Sequence, residues 1–254
     1  MINKIEFIAR EAGRIIRQNF GKKHEIKYKS NLSDLVTETD KKSESLILEF
    51  INREFPGHSI LSEESGFNNK TSEYLWVVDP LDGTTNFAHG LPIFSVSIAV
   101  LKNNETIYGV VYDVMRDVLY SAEKGSGVFA NGKNIHVSKR SELKECMLVT
   151  GFPYDFTGKD SVFKMFESFL KKSRAVRRLG SAAIDCCLVA EGVFDGFWEA
   201  TLFPWDVLAG KVIIEEAGGK VTDFNNDPLT LELKQFLGTN SLIHEKMLHV
   251  INST

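Results

Sequence analysis

Apolar residues recur every three or four positions near the start of the chain. The first such set consists of Ile5, Ile8, Ala12, Ile15 and Ile16. This spacing predicts an amphipathic helix, which Gly21 would cap at its carboxyl end. The same spacing predicts a second helix from about Asp40 to Glu54, because Pro56 and Gly57 stop the pattern there.

After residue 57 the pattern becomes that of strands and hairpins. Short apolar or alternating runs occupy 58–65, 75–79, 94–101, 106–114 and 118–138. The run at 75–79 is predicted to stop at Pro80, since proline cannot donate a ladder hydrogen bond. Asn131-Gly132 predicts a two-residue hairpin turn. The polar stretch 67–74 is predicted to be an exposed loop.

Helical and strand patterns alternate in the last part of the chain. Helices are predicted at 162–172, 181–192 and 205–219, and strands at 174–180, 195–200 and 220–224. This order predicts a mixed α/β (α+β) fold of layered sheets and helices, with a largely antiparallel first sheet, rather than a purely parallel doubly wound fold. We expect one domain over 1–254, with a soft boundary near residue 145 between halves that share one active site.

Charge and composition restrict the classes of function. The formal net charge of −4 argues against broad binding of nucleic acid or of anionic membranes. No run of about 18 apolar residues is present, so we expect no membrane span. The first twenty residues lack the continuous apolar core of a signal peptide, so a cytoplasmic location is expected. The cysteines lack CxxC spacing and are expected to be buried free thiols.

The most informative stretch is Trp76–Phe87, which reads WVVDPLDGTTNF. An apolar strand delivers Asp79 at its carboxyl end, Asp82 follows three residues later, and Gly83 lets the backbone turn close to a ligand. The two threonines that follow are expected to open a helix, whose first amides bind phosphate well. Carboxylates hold hard divalent cations. The stretch therefore predicts a metal site beside a phosphate site.

An alternative interpretation is that Asp82-Gly83 is only a hairpin turn between two strands. That interpretation leaves the second aspartate, the proline and the threonines unexplained. At about 5% usage per residue type, the five fixed residues of the pattern DPxDGT at 79–84 occur by chance in a chain of this length roughly once in ten thousand sequences. Glu63, Asp206 and Asp40 each have an ordinary role as well, at an acidic edge or a helix start. Only the occurrence of all of them together favours a catalytic or metal-binding role over these ordinary ones.

Segments along the whole chain resemble the motifs of the inositol monophosphatase family. In chain order they are 34–40 (DLVTETD), 61–65 (LSEES), 79–87 (DPLDGTTNF), 205–210 (WDVLAG) and 215–219 (EEAGG). They occur in the family's order and at similar spacings, although Ser62 stands where glycine is frequent. The resemblance implies the layered αβαβα sandwich of the sugar phosphatases, magnesium-dependent phosphatase activity, inhibition by lithium and a homodimer.

The resemblance also implies a role for each matching position. The implied metal ligands are Glu63, Asp79, the backbone carbonyl of Leu81, Asp82 and Asp206. Glu63 would also help to orient the attacking water, beside a hydrogen-bonded pair of Thr84 and Asp40. The amides of Gly83 and Thr84 would bind the phosphate. The implied contacts to the substrate ring are Asp82, Gly180, Ser181, Ala182 and Glu199. Residues 1–145 would thus bind metal and phosphate, and 146–254 the substrate.

Elementary electrostatics supports grouping these acids around metal. Two carboxylates about 4 Å apart repel by roughly 4 kcal/mol at an effective dielectric constant of about 20. Four of them converge only if cations neutralise the charge or some stay protonated. Oxygen ligands favour Mg²⁺ over zinc, and the resemblance implies two or three ions. The expected chemistry is hydrolysis by metal-activated water.

Several phosphate esters are candidate substrates, and the sequence does not decide among them. Inositol 1-phosphate is the first candidate; fructose 1,6-bisphosphate, histidinol phosphate and nucleotide 3′-phosphates are alternatives with the same chemistry. A basic cluster comprises Lys171, Lys172, Arg174, Arg177 and Arg178. This cluster is either a solvated helix end or a contact for a second phosphate on the substrate. Lys29 is a candidate residue of a loop that closes over the metals.

A function of a different class is also open: the chain would be a regulatory interaction protein whose catalytic activity is vestigial.

Two other patterns are discounted. Gly125-Ser126-Gly127 imitates a dinucleotide-binding loop, but a hairpin rather than a helix is predicted after it. His244 and His249 stand five residues apart instead of the four of a zinc-protease motif, so we expect both on the surface.

Overall fold

The computed structural model describes residues 1–22, 26–28, 35–68, 70–153, 157 and 160–254. Lys29 and Asp34, the first residue of the 34–40 segment, lie outside these ranges, so the structure does not bear on the loop role predicted for Lys29. Within the described ranges, no helix combines the length and the apolar composition needed to cross a membrane.

The helices and strands follow the sequence pattern in most places. The helices are α1 (Ile2–Asn19), α2 (Glu38–Glu54), α3 (Thr84–Ala88), α4 (Asp160–Lys172), α5 (Ala182–Ala190), α6 (Pro204–Glu216) and α7 (His244–Asn252). The first ten strands are β1 (Ile26–Tyr28), β2 (Leu35–Thr37), β3 (Ser59–Ser62), β4 (Gly66–Phe67), β5 (Tyr74–Asp82), β6 (Ser95–Lys102), β7 (Glu105–Asp113), β8 (Val118–Glu123), β9 (Gly127–Ala130) and β10 (Lys133–Asn134). The remaining strands are β11 (Met147–Thr150), β12 (Ala175–Arg177), β13 (Gly196–Ala200), β14 (Lys220–Thr222) and β15 (Gln235–Thr239). The predicted loop 67–74 is shorter than expected, because its two ends belong to β4 and β5.

Two sheets dominate the described part of the chain. The larger has eight strands in the order β10-β9-β8-β7-β6-β5-β3-β4, and all neighbours are antiparallel except β3 and β5. The smaller has five strands in the order β12-β11-β13-β15-β14. It is mixed, since β11 runs parallel to β12 and β13 while β15 runs antiparallel to β13 and β14.

The helices form three layers around these sheets. α1 and α2 pack on one face of the larger sheet, and α5 and α6 pack between the two sheets. α4 and α7 pack on the other face of the smaller sheet. This αβαβα order confirms the predicted fold class and the largely antiparallel first sheet. One domain with a soft boundary near residue 145 stays a prediction, although α5 and α6 share one apolar cluster with both sheets.

Strand β5 contains the acidic stretch and continues past Pro80, so the predicted stop there is wrong. Asp79 pairs with Ser97 and Asp82 pairs with Ser95, so three steps along β5 oppose two along β6. This bulge accommodates the proline within the strand, because a bulged residue needs no ladder hydrogen bond. The two aspartates are therefore held by a strand end rather than by a loose turn.

The hairpin turns follow the sequence closely. Asn131 and Gly132 have φ angles of 47° and 77°, the left-handed conformation of the predicted two-residue turn. In the turn between β8 and β9, the amides of Gly125 and Gly127 each donate to the Glu216 carboxylate at 2.8 Å. The glycine-rich turn that imitates a dinucleotide loop thus binds a carboxylate of its own chain, at the end of α6.

His244 is buried, so the prediction that it lies on the surface is wrong; His249 is exposed. The His244 ring nitrogens lie 3.0 Å from the hydroxyls of Thr222 and Thr239. Thr222 donates its proton to the Asp223 carbonyl, so we assign Nε2 of His244 as the donor to Thr222 and Nδ1 as the acceptor from Thr239. Burial and the nearby Lys220 lower the pKa of His244 to about 4.

This buried imidazole is expected to make stability depend on pH. The unfolded chain binds a proton at His244 near pH 6.5, whereas the folded chain does so near pH 4. The unfolded state therefore binds more protons between these values, and stability falls by about 2 kcal/mol between about pH 7 and pH 5. His244→Gln should remove about that much of the pH dependence, measured by urea unfolding at both pH values. An unchanged difference between the two pH values in the variant would contradict the assignment.

Candidate active site

The bulged end of β5 holds its acidic residues by short hydrogen bonds. Asp79 is buried, and its Oδ1 accepts a hydrogen bond of 3.0 Å from the Leu81 amide. The hydroxyl of Ser43, on α2, donates to the Pro80 carbonyl at 2.8 Å. Together these contacts hold the turn that leads from Asp79 to Asp82.

Asp82 connects the larger sheet to α5. Its Oδ2 accepts from the Ser95 hydroxyl at 3.1 Å, from the Ser181 hydroxyl and from the Ala183 amide at 3.1 Å. Its Oδ1 accepts from the Ala182 amide at 3.2 Å. Burial raises the pKa of Asp82 to about 6, although these hydrogen bonds lower it.

Asp40 and Thr84 form the pair that the sequence predicted. Thr84 Oγ1 lies 2.8 Å from Asp40 Oδ1 and 2.9 Å from the Leu81 carbonyl oxygen. A hydroxyl has one proton, so it donates to only one of them at a time. Asp40 also caps α2, where its Oδ2 accepts from the Thr37 amide at 2.9 Å and hydroxyl at 2.6 Å. Burial raises the pKa of Asp40 in spite of these bonds.

Glu63 and Asp206 approach Asp79 from two other elements. Glu63 follows β3, and its amide donates to the Val78 carbonyl of β5 at 3.1 Å. Asp206 lies in the first turn of α6 and accepts from the Phe203 amide at 2.7 Å. Burial, followed by the charges of Glu63, Asp82 and Asp206, raises the pKa of Asp79 well above its ordinary value. The structure therefore brings these four carboxyl groups together.

The donor set fits a hard divalent cation. Within the described ranges, no group of three or more histidine, cysteine, aspartate and glutamate side chains is arranged to hold a metal ion as it stands. The Glu63 and Asp79 carboxyls instead lie within reach of each other, a contact that two charged carboxylates oppose and that raises the pKa of Asp79. A proton and a cation relieve the same repulsion. Since all the donors are oxygen atoms, the cation that suits them is Mg²⁺ or a similar ion.

The backbone after Asp82 turns where only glycine fits. Gly83 has a φ of 91°, and a Cβ atom there would lie 3.0 Å from the Ile93 carbonyl oxygen and 3.3 Å from that of Gly180. Gly83 caps α3, whose first residue is the buried Thr84. The first amides of a helix have no partner within it. The predicted phosphate contacts therefore stand beside the grouped carboxyls.

The predicted substrate contacts gather around the start of α5 and the end of β13. Gly180 has a φ of 85°, and a Cβ atom there would crowd the Asn86 amide. Ser181 caps α5 while donating to Asp82. Glu199 is buried, its carboxylate packs against Gly151, and burial raises its pKa to about 8. The charge of Arg178 opposes this shift, so its guanidinium lies within electrostatic reach of Glu199.

Sequence reasoning missed three residues that organise the site. The sequence pattern places Ser95 in a strand, and its position opposite Asp82, which lets it donate to that carboxylate, has no local signal. Asn86 donates at 2.8 Å to the carbonyls of Ile93 and Leu179, which ties α3 to the loop before α5. Asp185 was treated as part of a packed helix, yet it is a buried acid near Glu199. A charged residue within an apolar helix was the available signal for Asp185.

Known proteins match the chain over nearly its whole length. A profile described as the inositol monophosphatase family matches residues 2–254. A Thermotoga maritima protein named fructose-1,6-bisphosphatase/inositol-1-monophosphatase is 39% identical, covering 96% of this chain and 93% of that protein. A Neisseria meningitidis protein named putative Nus factor SuhB is 39% identical, covering 96% and 95%. The solved structure of inositol monophosphatase from Anabaena is 41% identical with a TM-score of 0.90, covering 100% and 95%.

The repulsion among the grouped acids predicts opposite effects of Asp79→Asn with and without magnesium. Asparagine keeps the acceptor for the Leu81 amide but removes a buried charge, so with chelator the variant should be more stable by about 1 kcal/mol or more. Magnesium at a hundred times its Kd should stabilise the wild type by about 2.7 kcal/mol and the variant far less. Urea unfolding in EDTA and in magnesium measures both. A variant that is less stable than the wild type in EDTA, and that gains as much stability from magnesium as the wild type does, would contradict the grouping of these acids.

Proposed function

Because the chain belongs to the inositol monophosphatase family, we propose that it hydrolyses the phosphate monoester of a small polyol, with inositol 1-phosphate as the first candidate. The family makes the chain a phosphoric monoester hydrolase. The observation that supports the proposal most strongly is the grouping of Glu63, Asp79 and Asp206 with Asp82 at the end of β5. This acid set lies beside a glycine-led turn suited to phosphate.

Members of this family typically depend on a metal. The residues that would hold Mg²⁺ here are Glu63, Asp79, the Leu81 carbonyl, Asp82 and Asp206. When bound, Mg²⁺ supplies activation of a water molecule and neutralisation of the phosphoryl oxygens. Two or three ions, inhibition by lithium, a homodimer and a cytoplasmic location stay predictions of the same assignment.

Asp40 and Thr84 orient the attacking water in this proposal. When the Thr84 hydroxyl donates to Asp40 Oδ1 at 2.8 Å, its oxygen lone pairs are turned outward and accept a hydrogen bond from water. The capping bonds from Thr37 hold the Asp40 carboxylate in place, so the direction of the Thr84 hydroxyl is determined by α2. Glu63, whose charge raises the pKa of Asp40, would help to orient the same water.

The phosphate and the polyol are bound by different halves of the chain. The amides of Gly83 and Thr84 donate to the phosphoryl oxygens at the start of α3. Glu199 accepts hydrogen bonds from polyol hydroxyls, and the small residues Gly180, Ser181 and Ala182 let the ring lie against backbone. Asp82 belongs to both regions, because it contacts α5 directly.

A second anionic group on the substrate is the main alternative. Arg178 lies within electrostatic reach of Glu199, and its positive charge is what supports a bisphosphate such as fructose 1,6-bisphosphate as this alternative. Histidinol phosphate and nucleotide 3′-phosphates are hydrolysed by the same chemistry and are further candidates.

A function of a different class is a regulatory role, which the name of the Neisseria relative, putative Nus factor SuhB, suggests for that protein. A panel of these esters assayed with and without magnesium separates the candidates, and phosphate release from none of them would favour the regulatory role.

Asp79→Asn is expected to abolish turnover while the fold is retained. Changes around metal ligands alone commonly cost 10- to 100-fold, so loss of a ligand charge should cost at least about 100-fold in kcat. Asp195→Asn is the matched control, because Asp195 is equally buried but pairs with Arg140 at 2.9 Å. That control should lose stability and keep kcat within about twofold of the wild type below its melting temperature. Comparable turnover in both variants would overturn the proposed metal site.

Thr84→Ala tests the water-orienting pair separately from the metal ligands. Loss of the hydroxyl should lower kcat by roughly 100-fold or more, with a small change in KM, because orientation acts in the chemical step. Thr84→Ser keeps the hydroxyl and should retain activity within about tenfold. Steady-state kinetics with saturating magnesium measures both variants. Equal losses in Ala and Ser would show that packing of the methyl group, not the hydroxyl, is what matters.

A further inference from the structure

Asp185 is a buried acid that the proposed chemistry does not use. It lies on α5 with 1% of its surface exposed, and its Oδ1 has no hydrogen-bond partner among the described residues. An unpaired buried polar atom costs about 1–3 kcal/mol, and the great majority of such atoms in folded proteins are paired. The atom therefore points to a donor that arrives from outside the folded chain.

The surroundings of Asp185 are those of the polyol side of the site. After burial, the charges of Glu199 and Asp82 are what raise the pKa of Asp185, and the charge of Arg178 lowers it. Asp185 lies in the first turn of α5, two residues after Ala183, whose amide donates to Asp82. Asp82 and Glu199 are themselves 7% and 8% exposed, so deep burial is a property of the whole region.

The donors nearest along the chain are already engaged elsewhere. The Ser181 hydroxyl and the amides of Ala182 and Ala183 donate to Asp82. The amide of Ile184 donates to Ser181 Oγ at 3.4 Å, and the amide of Asp185 donates to the Ser181 carbonyl at 3.0 Å. A donor from a bound ligand or from a water molecule is what can then pair Oδ1. Beside two other carboxyls, a hydroxyl group is such a donor.

We propose that Asp185 is a specificity-determining residue: its Oδ1 accepts a hydrogen bond from a hydroxyl of the leaving alcohol, next to Glu199. The inference rests on the proposed function and narrows its substrate class to esters whose alcohol has at least two hydroxyls besides the ester oxygen. A site that hydrogen-bonds a substrate hydroxyl discriminates strongly against an analogue without it, because the buried acceptor is then left unpaired.

The test compares the specificity of variants for two esters, inositol 1-phosphate and p-nitrophenyl phosphate, whose alcohol has no further hydroxyl. Asp185→Leu removes the acceptor and keeps the branched shape of the side chain, and Asp185→Asn keeps an acceptor oxygen at nearly the same volume. In Asp185→Leu, the ratio of kcat/KM for the polyol ester to that for the aryl ester should fall 10- to 100-fold, mainly through KM. Asp185→Asn should restore most of the ratio. Glu191→Gln is the control: Glu191 directly follows α5 and accepts from the Tyr120 hydroxyl, so this variant should leave the ratio unchanged.

Deoxy analogues of the polyol ester identify the hydroxyl concerned. With the wild type, the analogue that lacks this hydroxyl should have a kcat/KM 10- to 100-fold below that of the full polyol ester. With Asp185→Leu, the same analogue and the full ester should differ little. Every other deoxy analogue should lose the same factor in the wild type and in the variant. Calorimetric titration with free inositol, in magnesium and inorganic phosphate, should show the same loss of affinity in Asp185→Leu. An unchanged ratio would show that only water pairs Oδ1, and equal losses for both esters would show a structural role; each overturns the inference. A wild type that hydrolyses none of the esters in the panel would instead refute the proposed function, and the inference with it.

Discussion

The arrangement of the site depends on the hydrogen-bonded carboxylate of Asp82. It accepts from Ser95 on the neighbouring strand and from Ser181 and two amides at the start of α5, which lie 99 to 101 residues further along the chain. One side chain therefore joins the acidic end of β5 to the region that contains Glu199 and Asp185. Without these bonds, no side-chain contact of Asp82 would hold the proposed metal-binding region in place relative to the polyol-binding region.

The same region concentrates buried negative charge that folding alone does not favour. Asp79, Asp82 and Asp206 all have raised pKa values, and burial is the largest cause in each. Such clusters are destabilising by themselves and are retained where function requires them. The three apolar clusters of the layered fold supply the stability that offsets this cost.

The motifs and the helical periods were predictable from the sequence because their causes are local. The helix predicted from the spacing of isoleucines in α1 and the Asn131-Gly132 turn follow from side-chain period and turn chemistry. The acid set could also be named from its motifs, although each acid alone looked like a helix cap or a surface edge. The strands β11 and β15 went unpredicted, since short apolar runs lack a distinctive period.

The sequence by itself therefore determined which residues are chemically unusual, because residue type, turn preference and local spacing are written in neighbouring positions. Only the tertiary structure decided which of them meet. The pairing of Ser181 with Asp82, the burial of His244 between two threonines and the passage of β5 through Pro80 all depend on contacts between distant segments. The environment of Asp185 depends on them as well, because burial and neighbouring charge are set by the packing of α5 between the sheets and not by the residues beside it in the chain.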